Sequence, residues 1–179
     1  MSKTFTDLRQ ALDNLPVAIP PDPWMRIATV TAEGLQSVGF APNTELLLMV
    51  SAQGREVFDL ETGDVVSHDP EPYIGERVQL RAQGIGPLED HIIHMSGALG
   101  GGLPLTTEDG WTIMSVFLEW PTRCLFMLPP DVDIMASEVD ERFFKLGEDA
   151  TIRAFGFSDS GKSLVIATST DVTFWTRAN

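Results

Sequence analysis

The 179-residue chain has one cysteine, one tyrosine, three histidines and only 12 lysines and arginines. A single cysteine, Cys124, excludes an intramolecular disulfide framework and agrees with a reducing compartment. It lies in the apolar run Cys124-Leu125-Phe126-Met127-Leu128 with no charge cluster beside it to stabilise a thiolate, so a buried small hydrophobe is expected. No apolar run approaches the ~18 residues of a membrane-spanning helix. The opening MSKTFTDLRQALDNL carries acidic and basic residues where a secretory signal has its apolar core, which argues for a cytoplasmic protein. The shortage of basic residues, 12 against 26 acidic, leaves a net charge of −14 spread along the chain. Such a field repels nucleic-acid phosphates and anionic membranes and attracts a basic protein or a cation. Hydrophobic residues, at 43%, are as frequent as in ordinary globular domains, so a packed core is expected.

What is present is a change of pattern near residue 23. Leu8, Ala11, Leu12 and Leu15 fall on one helical face, Thr4 or Thr6 is placed to cap it, and Pro16 ends it. Residues 16–23 carry four prolines and read as an extended linker. This divides the chain into an N-terminal helix with its linker, 1–23, and a single β-rich domain, 24–179.

Within 24–179 short apolar runs alternate with turn residues, and they repeat. Aligned without a gap, Gly39 falls on Gly156, Phe40 on Phe157, Leu47 on Leu164 and Phe58 on Trp175, an offset of 117 residues (156 − 39). A fainter copy sets Ser37, Val38, Thr44, Leu47 and Met49 on Ser115, Val116, Thr122, Leu125 and Met127, an offset of 78 (115 − 37). Both offsets are multiples of 39, close to the roughly 40–45 residues of a four-stranded propeller blade. A further unit is then expected near 76–112, with strands at Ile85-Gly86, Ile92-Ile93 and Trp111-Thr112-Ile113-Met114. A short helix near 138–146 is suggested by Ser137 as cap, Asp140, Val139 and Phe143 on one face, and Gly147 as stop.

The string Phe58-Asp-Leu-Glu-Thr-Gly63 resembles the third strand and exit turn of WD40-type and quinoprotein-type propeller blades, and residues 152–176 resemble a WD40 blade. The resemblance covers 36–67 and 152–176, with a weaker stretch at 113–136, and no Trp-Asp dipeptide occurs. It implies an architecture and carries no functional residues over. The expected fold is therefore mainly β: a small propeller-like array of about four antiparallel units, closed by Trp24–Thr31 pairing with the last unit, with an open or irregular β-sheet array as the alternative.

Three patterns bear on chemistry. Gly156-Phe-Ser-Asp-Ser-Gly-Lys162-Ser163 matches the Walker A expression, but it precedes an apolar strand rather than a helix. It is expected to be a hairpin turn, with Lys162 exposed and Ser163 leading a strand. Glu89-Asp90-His91-Ile-Ile-His94 offers metal ligands, with Asp90, His91 and His94 as the set. A spacing of three on a strand sends the two imidazoles to opposite faces unless a bulge intervenes. The third is the glycine-rich loop 97–111, in which Gly100, Gly101, Gly102, Asp109 and Trp111 form the best binding candidate, with Trp111 as anchor if its ring is exposed. The carboxylate pairs Asp131/Asp133 and Asp140/Glu141 have no recognisable pocket context, and no Ser-His-Asp constellation can be assembled. No motif calls for a cofactor.

The functional expectation is a protein-binding module aimed at a basic partner, of which an immunity-type protein neutralising a cationic toxin is one form. The alternative is a metal-assisted hydrolase using the Glu89–His94 cluster.

Overall fold

A computed structural model describes residues 5–75, 79–132 and 142–178. The chain forms two compact units: Pro23–Pro104 with Thr151–Asn179, and Met1–Asp22 with Leu105–Ala150. Among the described residues all sheets are antiparallel and none closes into a barrel. Among these residues no helix is long and apolar enough to cross a membrane.

The larger unit holds strands β1 (Trp24–Thr31), β2 (Ser37–Phe40), β3 (Leu46–Ser51), β4 (Gly54–Asp59), β5 (Asp64–Asp69), β6 (Arg81–Gln83), β7 (Ile92–His94) and β8 (Ser96–Gly97). It is completed by β12 (Ala154–Phe157), β13 (Ser163–Ala167) and β14 (Asp171–Arg177). One sheet runs β1-β14-β13-β12, a second β5-β4-β3-β2-β8, and β6 pairs with β7. The N-terminal strand pairs with the last unit, as expected. It pairs along the whole of β14, from Trp24 opposite Arg177 to Thr31 opposite Asp171.

The apolar run in β3 follows from burial on both faces. Because side chains alternate along a strand, Leu47 and Met49 point one way and Leu48 and Val50 the other. Leu47 and Met49 join Val38, Phe40 and Phe58 in a core with Val165, Val172 and Phe174 of the neighbouring sheet. Leu48, Val50 and Val57 pack against Ala82, Leu88, Ile93 and Met95. Neither face of this strand needs polar residues, so alternation disappears from its sequence.

The 117-residue repeat is real down to the register. Leu47 sits opposite both Phe40 and Phe58, and Leu164 sits opposite both Phe157 and Trp175. The connecting turns share their hydrogen bonds. Ala41 N–H donates to Leu46 and Ser158 N–H to Ser163, each at 2.9 Å, while Thr44 and Gly161 donate back to Ala41 and Ser158.

The smaller unit has α1 (Phe5–Asp13) and a sheet of order β11-β10-β9, from β9 (Thr112–Glu119), β10 (Thr122–Leu128) and β11 (Phe144–Asp149). Leu12 of α1 packs with Leu118, Cys124, Phe126, Leu128 and Phe143, and Leu8 and Leu15 flank them. The proline-rich stretch after α1 is more than a linker, since Ala18 N–H donates to the Lys145 carbonyl at 2.8 Å.

Three expectations need correction. The fainter copy at 113–136 is a hairpin with buried Leu125, but Leu125 pairs with Ser115, not with Leu118. Its turn is only Trp120-Pro121, and loop length sets register. The unit expected at 76–112 is not a four-stranded copy. Pro87 stands in a 3-10 turn, Gly86–Leu88, and Thr112–Glu119 opens the following sheet. The helix expected near 138–146 is strand from Phe144, where Lys145 and Gly147 pair with Phe126 and Leu125. Its suggested caps, Ser137 and Asp140, lie outside the described residues.

Candidate functional site

The Walker-like string is a hairpin. Ser158 Oγ accepts from Ser163 N–H at 3.1 Å, Ser160 Oγ accepts from Lys162 N–H at 3.1 Å, and Ser163 begins β13. Lys162 is half-buried rather than exposed, because its carbonyl accepts from Arg177 N–H at 3.0 Å and draws the turn against β14. No helix follows to supply the aligned donors that hold a triphosphate.

In the histidine cluster, Asp90, His91 and His94 are all exposed. His91 precedes β7 and its N–H donates to Leu88 at 2.9 Å, while His94 ends the strand directly opposite Arg81. A guanidinium across the ladder disfavours a cation at His94. Among the described residues no three His, Cys, Asp or Glu side chains gather as a metal site. His68 is occupied elsewhere, 3.1 Å from the Glu56 carboxylate across the β4–β5 ladder.

The glycine-rich loop is split by the unit boundary after Pro104, so its halves are described separately. In the larger unit Gly97 and Gly100 close a tight turn by exchanging N–H···O bonds of 2.9 and 3.1 Å, with Leu99 exposed at its tip. Gly101 holds φ +84°, and a Cβ there would lie 2.3 Å from the Met95 carbonyl oxygen. Gly100 holds φ +117°, whereas Gly102 faces open space. Two of the three glycines are thus required by backbone conformation. The turn borders a cavity of about 350 Å³ that also takes in Leu35, Val50, Leu80 and Met95, and the guanidinium-bearing Arg81 and Arg153.

In the smaller unit Asp109-Gly110 is a turn, with Gly110 N–H donating to Thr107 at 2.9 Å and Thr107 Oγ donating to Asp109 Oδ1 at 2.6 Å. Trp111 is 7% exposed and its N–H donates to Thr107 Oγ at 2.9 Å. A binding anchor must be exposed in the free protein to lose surface on association. Trp111 therefore packs the chain itself and is withdrawn as anchor.

The aromatic residue that does face solvent was missed. Trp120, 79% exposed, stands at the β9–β10 turn with its ring 5.2 Å from that of Phe117, itself 44% exposed. Arg123 lies 5.0 Å over the Phe117 ring. The signal available in the sequence was Glu119-Trp120-Pro121-Thr122, a tryptophan at a turn residue, where a core position is improbable.

Cys124 is buried, as its sequence context suggested. Burial pushes its thiol pKa up, only partly offset by the Lys145 charge. Its Sγ lies 3.7 Å from Glu148 Oε2, which accepts from Lys145 Nζ at 2.7 Å and is held below the usual carboxylate range by that bond and charge. A thiol-directed chromogenic disulfide is accordingly expected to leave native Cys124 unmodified at neutral pH and to titrate one thiol once urea unfolds the chain. Rapid labelling of the native protein would contradict this environment. At the rim of the larger unit Arg55 plays a structural part. It donates to Asp69, lowering that carboxyl's pKa, donates to the Gln83 carbonyl at 3.0 Å, and lies 4.1 Å over the Tyr73 ring.

No protein-family model matches the chain, and no curated protein matches it in sequence.

Proposed function

We propose that this chain is a protein-binding module whose partner is a basic protein, with the Phe117–Trp120 pair as its aromatic contact. The observation that carries the reading is a tryptophan 79% exposed and set beside a second exposed aromatic, its ring tilted 44° to it, in a chain of net charge −14. Aromatic side chains contribute disproportionately to interface energy, and their faces attract lysine and arginine. The position of Arg123 over Phe117 is an intramolecular example of that contact. The acidic field would steer a cationic partner, making association fast and salt-sensitive. An immunity-type role against a cationic toxin is the form this reading takes.

The same reading treats the sheets as propeller-like units and the protein as cytoplasmic. It is supported by the register-true repeat and by β1 completing the sheet of β12–β14. The hydrolase alternative has no comparable support, since Arg81 stands opposite His94.

The test is titration of the purified chain with the purified basic products of neighbouring genes, at low and high salt. Binding is expected to weaken strongly with salt, and Trp120→Ala should weaken it by ~2 kcal/mol while leaving the thermal midpoint unchanged. Salt-insensitive binding, or equal binding by Trp120→Ala, would overturn the proposal.

A further inference from the structure

The cavity beside the glycine turn lies wholly within the larger unit and is independent of the partner-binding reading. Its walls are mostly apolar, with Leu35, Val50, Leu80 and Met95 among them. Among the described residues its charged lining consists of Arg81 and Arg153, with no carboxylate. That is unexpected in a chain with 26 acidic residues against 12 basic. Three other cations do have carboxylate partners, Arg55 with Asp69, Arg142 with Asp131 and Lys145 with Glu148.

Arg153 is half-buried, and its Nε is fully buried with no acceptor among the described residues. Its backbone N–H is engaged, donating to Ala167 at 2.7 Å, which fixes the side chain's point of departure. Arg81 directs Nη1 to Gln79 at 3.1 Å and has no carboxylate partner among the described residues. A guanidinium beside an apolar wall with no carboxylate partner among the described residues offers its charge and its donors to an anion. The cavity wall carries strain as well. Leu80 adopts φ +51°, a conformation uncommon for a bulky residue, and its carbonyl accepts from Met95 N–H at 2.7 Å. Strain of this kind gathers at ligand clamps.

We propose that this cavity binds a small monocarboxylic acid with an apolar body, its carboxylate accepting from Arg153 in the field of Arg81 and its body covering the aliphatic wall. The chemistry follows from the lining. A bare inorganic anion would leave the apolar walls wet, and a neutral hydrocarbon would leave the two guanidiniums without a counter-charge. The volume falls in the range of small-molecule sites. The two guanidiniums give an anion a locally favourable potential in a chain of net charge −14.

The experiment uses the full chain and three probes in calorimetric titration: decanoate, decanol and inorganic phosphate. Decanoate is expected to bind saturably, with decanol and phosphate each weaker by about tenfold or more. Arg153→Met should bring decanoate down to the decanol level while leaving decanol itself unchanged, which also shows that the variant is folded. Ala98→Trp, at an exposed position on the lip, should weaken decanoate and decanol alike. If Arg153→Met fails to fold, Arg81→Met provides the second arm and should reduce the preference for decanoate over decanol. Absence of saturable decanoate binding, equal affinity for decanoate and decanol, equal affinity for phosphate, or undiminished discrimination in the arginine variants would each overturn the proposal.

Discussion

Gly39→Ala is expected to destabilise the larger unit by about 3 kcal/mol or more. A Cβ at Gly39 would lie 2.2 Å from the His94 carbonyl oxygen and 2.9 Å from both Ile93 Cγ2 and Met95 Sδ. The nearest atom is backbone, so it cannot swing away, and the β7 segment would have to lift off β2. The repeat supplies a second instance. Gly156 occupies the equivalent place, where a Cβ would lie 2.6 Å from Leu103 Cβ and 2.8 Å from the Pro104 carbonyl oxygen, with φ at +147°. In both copies the glycine admits a chain segment passing close over the strand. Urea midpoints of Gly39→Ala and Gly156→Ala should fall steeply. Gly102→Ala, at a position with open space around it, should shift stability by no more than about 0.5 kcal/mol. A wild-type midpoint for Gly39→Ala would mean that the β7 segment does not pass where the structure puts it.

Phe58→Ala should cost ~4 kcal/mol, the scale of a large aromatic removed from a core that cannot collapse around the void. Phe58 is 2% exposed, and its ring centre lies 5.2 Å from that of Phe174. The two rings belong to different sheets, β4 in one and β14 in the other, so their contact helps hold the two sheets together. Phe174→Ala should cost a similar amount. The double variant should lose less than the sum, by ~1 kcal/mol for the lost ring-on-ring contact. Strict additivity would mean that the rings pack independently and that the two sheets adhere through other residues.

Much of the fold could be read from the chain. The pairs Gly39/Gly156, Phe40/Phe157, Leu47/Leu164 and Phe58/Trp175 recur because one sheet geometry was built twice, and the hydrogen-bonded register reproduces them. The pairing of Trp24–Thr31 with the last unit was expected as well. The middle of the chain was not. A two-residue turn at Trp120-Pro121 moved the register away from the pattern, and Phe144–Asp149 became strand because β10 offered it a ladder. A partner strand outweighs the modest local preference of a six-residue segment.

The candidate sites divide in the same way. Gly100 and Gly101 were singled out from composition, and the reason for them is backbone conformation beside a cavity. Trp111 and Trp120 are the same residue type nine positions apart, yet one is buried and the other is 79% exposed. Arg153 and Arg81 stand 72 positions apart and share a cavity only because the sheets bring their segments together. By itself the sequence determined composition, charge, the short-range alternation of apolar and turn residues, and the repeat, since these are properties of neighbouring residues and of copied segments. Which aromatic is buried, which turn sets a register, and which arginines line a cavity were decided by tertiary structure. They depend on what distant segments occupy the space around a side chain, and no local pattern encodes that.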